Sequence, residues 1–109
     1  MTVKELCDNM ELTAVTLPDG EREIGGAYCC DLLSWVIGRA KTGDVWITIM
    51  TNVNIVAVAS LADTACVLLA EGVELDDDVK SLAVSKGVNI LVSQKPAFET
   101  AASVAALLS

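Results

Sequence analysis

The sequence predicts a single α/β domain over residues 1–109, with a mainly parallel sheet whose faces are covered by helices. Apolar stretches of strand length at residues 45–50, 65–70 and 88–92 alternate with stretches of helical character. This alternation is typical of βαβ units with right-handed crossovers. A chain of 109 residues is long enough for one core and too short for two, and no linker or low-complexity segment divides it.

The first third of the chain is predicted to hold a helix, a strand and a turn before the second helix. Thr2 and Glu5 fit a capping box that opens a helix over Val3–Met10. Residues 11–16 alternate in polarity as a strand does, and Pro18-Asp19-Gly20 favours a reversal of the chain. Asp31 is predicted to cap the second helix. The apolar residues of that helix follow at helical spacing: Leu32, Leu33, Val36 and Ile37.

The middle of the chain predicts one βαβ unit. Residues 45–50 are β-branched and mostly apolar, which indicates a buried central strand. Asn54 is predicted to cap a helix over residues 55–62, and residues 65–70 form the next strand.

The last third repeats this pattern. Asp76-Asp77-Asp78 opens a helix that ends at Lys86-Gly87, in agreement with the helix dipole and the preference for glycine after a helix. Residues 88–92 are predicted to form the next strand, and Pro96 starts a helix that runs to Leu108.

The charge and hydropathy patterns exclude several classes of function. The net charge is −8 and the seven Lys and Arg residues are scattered, so no basic stripe exists for nucleic acid or an anionic membrane. The N-terminus lacks the cationic start and apolar block of a secretory signal, which predicts a cytoplasmic protein. The most apolar region, residues 54–70, is interrupted by Ser60, Asp63 and Thr64, so no membrane span is expected.

The cysteines and acidic residues give little sign of catalysis or metal binding. The chain has no histidine and no C-x-x-C spacing, so no metal site, no cofactor and no enzymatic activity are predicted. Asp76-Asp77-Asp78 is better explained by the helix dipole than by a cation, since consecutive residues point in different directions. Cys29 and Cys30 support an alternative hypothesis, a small thiol-based redox or accessory protein, although two inert thiols are the simpler interpretation.

Two polar segments are candidate contacts for a small ligand. The Gly25-Gly26 pair allows close approach of a backbone to a phosphate near the helix that follows Asp31, or it makes a tight turn. The second segment, after the strand at residues 45–50, lies where ligand crevices form in open parallel sheets, or its side chains satisfy turn and cap amides. The candidate ligand-binding residues are Arg22, Gly25, Gly26, Asp31, Thr51, Asn52 and Asn54.

Three segments together resemble the DRTGG domain family. They are EREIGGAY at residues 21–28, which is followed by Asp31-Leu32-Leu33, then GDVWITI at residues 43–49, and NIVAVAS at residues 54–60. The likeness covers nearly the whole chain, as in a stand-alone member. The chain departs from the family's Thr-Gly-Gly, which is replaced by Gly25-Gly26-Ala27, and Glu21 replaces the leading aspartate, whereas Arg22 and Gly26 match.

The resemblance implies a fold similar to the N-terminal domain of HPr kinase/phosphorylase and a regulatory or dimerising role without catalysis of its own. Such domains also occur beside the catalytic parts of phosphotransacetylases and CBS-domain pyrophosphatases. The 53% hydrophobic content and the apolar circumference of the last helix indicate a further buried surface, as in a homodimer. The expected function is therefore a self-associating, ligand-sensing module for a small anionic metabolite or nucleotide.

Overall fold

Five helices and five strands make up the chain. A computed structural model describes all residues, 1–109. The elements in chain order are α1 (Val3–Met10), β1 (Thr13–Thr16), β2 (Gly26–Cys29), α2 (Leu33–Arg39), β3 (Asp44–Thr48), α3 (Asn54–Ala62), β4 (Cys66–Leu69), α4 (Asp77–Ser85), β5 (Ile90–Val92) and α5 (Ala97–Leu108).

The strands form one sheet in the order β1-β5-β4-β3-β2. The pairs β2–β3, β3–β4 and β4–β5 are parallel, and only β1 pairs antiparallel, with β5. The predicted α/β class and the mainly parallel sheet are therefore confirmed. All five residues of β3 are buried as predicted, but the middle strand of the sheet is β4.

Helices cover both faces of the sheet because neighbouring strand residues point to opposite sides. On one face, α2, α3 and α4 pack over a cluster that includes Trp46, Val67 and Ile90. On the other face, α1 and α5 pack over Val45, Leu68 and Leu91. The strands between them are buried on both sides, which explains why β3, β4 and β5 consist mainly of apolar residues.

The first helix begins as predicted. Thr2 Oγ accepts a hydrogen bond from the Glu5 amide at 3.1 Å, and the Glu5 carboxylate accepts one from the Thr2 amide at 2.9 Å. The bond from the Thr2 amide, followed by the Thr2 side chain, holds the pKa of Glu5 below its usual value, because hydrogen bonds to the carboxylate favour its charged form. Val3 and Leu6 then face the core.

Two predicted helix caps are wrong. Asp31 does not cap α2: Leu32 holds that position without a side-chain bond, because the Asp31 carboxylate is bound to β3 instead. Asn54 does not cap α3, since it is already the first residue of the helix. The Asn52 side chain caps the helix instead, by accepting a hydrogen bond from the Asn54 amide at 2.9 Å.

One strand was not predicted at all. β2 consists of Gly26, Ala27, Tyr28 and Cys29, and it forms the edge of the sheet opposite β1. Two small residues and a glycine give this segment little strand character of its own, so its pairing with β3 determines its conformation.

Candidate functional site

The seven candidate ligand-binding residues lie at opposite ends of the sheet. Arg22, Gly25 and Gly26 are at the amino end of β2, whereas Asp31 follows its carboxyl end. Thr51, Asn52 and Asn54 follow the carboxyl end of the parallel neighbour β3. Since strands rise by about 3.3 Å per residue, the length of β2 separates the two groups by roughly 10 Å. They therefore do not form one site.

The glycine pair at the amino end serves close backbone packing. The Gly25 amide donates to the Gly43 carbonyl at 2.9 Å. A Cβ atom on Gly26 would lie 3.0 Å from the Asp44 carboxylate, so a side chain here would force that group to move. The amide of Gly25 is thus occupied and a carboxylate lies beside Gly26, an arrangement that does not suit a bound phosphate. The pair makes no tight turn either, because Gly26 begins β2 and neither glycine has a positive φ.

Arg22 is engaged by an acidic residue. Its guanidinium lies 3.1 Å from the Asp63 carboxylate and donates to the Asp63 carbonyl at 3.0 Å. These contacts tie the segment before β2 to the end of α3. Both side chains are partly exposed, so the ion pair itself contributes at most about 1 kcal/mol.

The carboxyl-end group is organised around Asp31. Its carboxylate accepts hydrogen bonds from the Thr48 hydroxyl at 2.7 Å and from the Ile49 amide at 3.2 Å. The Asn52 side chain accepts from the Asn54 amide. Asp31 and Asn52 therefore fasten the loops after β2 and β3, and Thr51 is half-buried beside them.

The strand order explains why no crevice forms there. In open parallel sheets, ligands bind where the strand order reverses. Here β2, β3, β4 and β5 lie side by side in chain order, and α2, α3 and α4 all cover the same face. None of the seven candidate residues lines any of the four surface cavities.

The largest cavity lies instead at the carboxyl ends of β4 and β5. It has a volume of about 450 Å³ and is bounded by β1, by the loop after β4 and by α4. Val15, Leu75 and Val92 form part of its apolar lining. Its polar and charged lining residues are Thr13, Glu74, Lys80 and Gln94. We call this space the β5-end cavity.

Lys80 is the only cationic side chain in the β5-end cavity. It is 44% exposed, and its amino group is 3.7 Å from the carboxylate of Asp77, whose side chain is almost fully exposed. Such an exposed pair is weak, so the ammonium group remains available to an anionic ligand. Gly72, with φ of +63°, lets the loop pass close to Gln94: a Cβ atom there would lie 2.6 Å from the Gln94 amide oxygen.

The sequence held a signal for this cavity. The rule that ligands bind at the carboxyl ends of parallel strands applies to the predicted strands at residues 65–70 and 88–92 as well as to residues 45–50. Glu71-Gly72 follows the first of these and Ser93-Gln94 the second. The closeness of Thr13 was not predictable, because it depends on the antiparallel pairing of β1 with β5.

Three of the four cysteines, Cys7, Cys29 and Cys66, have a raised pKa and are held as protonated thiols. Cys7 and Cys66 are buried, and burial raises the pKa of both, that of Cys66 to about 12. Partial burial, followed by the charge of Asp31 and the nearby Cys30, also raises the pKa of Cys29. The Cys30 sulfur lies 3.4 Å from the Leu32 amide, within a local turn. A thiolate nucleophile is therefore not favoured at Cys29.

No three Cys, Asp or Glu side chains come together in a group able to hold a metal ion. None of the five helices combines the length and apolar character that crossing a membrane demands.

Fold and site together define a small α/β domain with a polar cavity at the carboxyl ends of its strands. A family model described as the DRTGG domain matches residues 29–107. The chain belongs to the DRTGG domain family. Asp31, Thr51, Asn52 and Asn54 lie within the matched range, whereas Arg22, Gly25 and Gly26 precede it.

A solved structure shares this fold. It contains the CBS and DRTGG domains of the regulatory region of Clostridium perfringens pyrophosphatase, in complex with the activator diadenosine tetraphosphate. The TM-score is 0.74 at 11% sequence identity, and the likeness covers 94% of the present chain and 45% of that chain. The chain thus spans less than half of the regulatory region that it resembles. No curated protein matches the sequence.

Proposed function

We propose that the chain is a non-catalytic, cytoplasmic regulatory module that self-associates and senses a small anionic metabolite or nucleotide. Membership of the DRTGG family supports the regulatory role. The similar fold in C. perfringens belongs to a regulatory region that binds a nucleotide activator. The ligand of that region gives a chemical class to test with this chain.

The β5-end cavity is the location that the geometry favours for the ligand. Its volume of about 450 Å³ lies within the usual range for small-molecule sites. Apolar residues can cover the body of a ligand, while Lys80 offers a charge and Thr13 and Gln94 offer hydrogen bonds. The available ammonium group of Lys80 is the observation that carries this assignment.

The group at the amino end of β2 is a weaker location. Arg22 is already paired with Asp63, and Asp44 places a second carboxylate beside Gly26. An anion bound there would have to displace one acidic group and approach another. At the carboxyl end of β2, Asp31 and Asn52 offer hydrogen-bond acceptors but no cation. This location is therefore no more favourable for an anion than the amino end.

A thermal-shift screen with nucleotides, acyl phosphates and other small anions tests the proposal. A ligand that binds only the folded state raises the free energy of unfolding, by about 2.7 kcal/mol at a hundredfold excess over Kd. We expect at least one such anion to raise Tm by several degrees. Lys80→Ala should remove most of this shift, while Lys41→Ala, the same charge change on an exposed turn outside the cavity, should leave it intact.

The variants separate the parts of the proposal. Retention of the shift in Lys80→Ala, together with its loss in Arg22→Ala, would move the ligand to the amino end of β2. A screen in which no anion changes Tm would refute ligand sensing. Neither result bears on self-association, which is measured separately.

A further inference from the structure

We infer that the open edge of β2 is the surface through which the chain self-associates, by pairing antiparallel with β2 of a second copy. The inference rests on the proposed self-association and specifies its interface. The result would be one continuous sheet of ten strands with a two-fold axis at Tyr28. The second copy is the occupant because its β2 edge offers the complementary groups.

Backbone groups on the outer side of β2 are free to form hydrogen bonds with a second strand. The Cys30 amide donates to the Ile47 carbonyl at 3.2 Å, so Cys30 faces β3. Since N–H and C=O groups alternate in direction along a strand, Tyr28 also faces β3, and Ala27 and Cys29 turn theirs outward. Both residues are exposed, and their amides donate to no group outside the strands.

Two-fold antiparallel pairing would satisfy all of these groups. Ala27 of each copy would lie opposite Cys29 of the other, and each pair exchanges two hydrogen bonds, four in total. Tyr28 would lie opposite its own counterpart, with Cβ atoms about 5 Å apart. The Tyr28 ring lies on the same side of the sheet as Trp46, so the Tyr28 rings of the two copies would meet beside α2.

The β2 edge is short, but it lacks the lysine, proline and bulge that keep many edge strands apart. Natural edges are commonly protected by lysine, proline or a bulge. β1, the other edge of the sheet, has such an irregularity between Ala14 and Thr16. β2 is regular in register with β3 and has no charged residue and no proline. The two edges therefore differ in how readily they accept another strand.

Side chains beside β2 are of the kinds that dominate protein interfaces. Trp35 is 47% exposed, and the Arg39 guanidinium lies over its ring at 3.7 Å from the centroid. Leu32 is 53% exposed on the same helix end. Tryptophan, tyrosine and arginine are enriched among residues that contribute most to binding. Together they extend the contact beyond the backbone bonds.

The test compares Ala27→Pro with Ala27→Val. Proline removes the outward N–H of Ala27 and blocks the second strand, but it spares the bonds from β2 to β3. Valine keeps the N–H and suits a strand. In analytical ultracentrifugation over the micromolar range, we expect dimers for the wild type and Ala27→Val, and a monomer for Ala27→Pro.

Hydrogen exchange on the wild type decides the question without a variant, in case Ala27→Pro does not fold. The amides of Ala27 and Cys29 should exchange on the order of tenfold more slowly at high than at low protein concentration. Dimers in which these amides stay unprotected, or an Ala27→Pro dimer, would overturn the β2 interface and leave self-association standing. A wild type that remains monomeric throughout would overturn both.

Discussion

Cys29 combines an exposed position with a thiol that holds its proton tightly. Partial burial of the sulfur, the Asp31 carboxylate and Cys30 all disfavour a negative charge on it, and its pKa is raised. A raised pKa means a smaller thiolate fraction at neutral pH. The reactive thiolate of Cys29 therefore forms at a higher pH than the thiolate of an ordinary cysteine. This is the opposite of what a redox cysteine requires.

We therefore predict that Cys29 reacts with iodoacetamide more slowly than a model thiol peptide at pH 7, with its rate increase displaced to higher pH. Peptide mapping by mass spectrometry would give the rate at each cysteine. Cys7 and Cys66 serve as internal controls, since both are buried and should react only after unfolding. A Cys29 rate above that of the model peptide would revive the hypothesis of a thiol-based protein.

Individual residues show how far local sequence can specify a role. The tight turn considered for Gly25-Gly26 is absent, since Gly26 begins β2, and the group that limits the space at position 26 is the Asp44 carboxylate. Asp44 belongs to the next strand, and only the pairing of β2 with β3 brings it there. Asp31 illustrates the same limit: its hydrogen bonds go to Thr48 and Ile49, so a local capping rule assigned it to the wrong partner.

Among the elements, the start of α3 offers a direct test of a corrected assignment. Asn52 accepts the hydrogen bond from the Asn54 amide, and its carbonyl accepts one from the Ile55 amide at 3.2 Å. Val53 between them already has helical angles, φ −61° and ψ −23°. Asn52 thus acts as the cap, and the Asn54 side chain has no part in it.

Asn52→Ala should accordingly lower the free energy of unfolding by about 1 kcal/mol, the usual cost of losing a helix cap. Asn54→Ala is the matched control: it removes the same side chain two residues later and should change stability by less than about 0.5 kcal/mol. Urea denaturation followed by circular dichroism measures both. Equal effects of the two substitutions, or a larger effect of Asn54→Ala, would contradict the assignment.

Elements with strong local signals were predictable, and β2, which depends on pairing with β3, was not. α1 begins at a capping box and α5 directly follows Pro96, so both were placed within a residue. β2 carries glycine, alanine and cysteine with a single tyrosine, a composition that favours no structure by itself. Its existence as a strand depends on β3 beside it, which a local reading of residues 26–29 cannot detect.

For the whole molecule, the parallel character of the sheet was predictable and the order of its strands was not. Repeated βαβ units imply parallel strands, but a reversal of order would have been compatible with the same sequence pattern. The actual order contains no reversal among β2, β3, β4 and β5. The expected crevice near Asn54 is therefore missing, and the β5-end cavity arises where β1 joins the sheet.

Asn89 links the first quarter of the chain to the rest of the sheet. It is only 2% exposed, and its amide group donates to the Asp19 carbonyl at 2.7 Å and to the Ala65 carbonyl at 3.0 Å. Its oxygen accepts from the Asp19 amide at 2.9 Å. One side chain thus fastens the turn after β1 to the starts of β4 and β5.

We predict that Asn89→Ala lowers the free energy of unfolding by about 2 to 3 kcal/mol, since the buried Ala65 carbonyl loses a donor and the turn loses both of its bonds. Asn89→Asp keeps the size and one acceptor but presents a carboxylate to two carbonyl oxygens, so it should cost at least as much at pH 7. Asn9→Ala, which removes a single exposed bond to the Glu5 carbonyl, should cost less than about 0.5 kcal/mol. Urea unfolding curves give all three values. If Asn89→Asp proved as stable as the wild type, the side chain would act by filling space, and its hydrogen bonds would not contribute to stability.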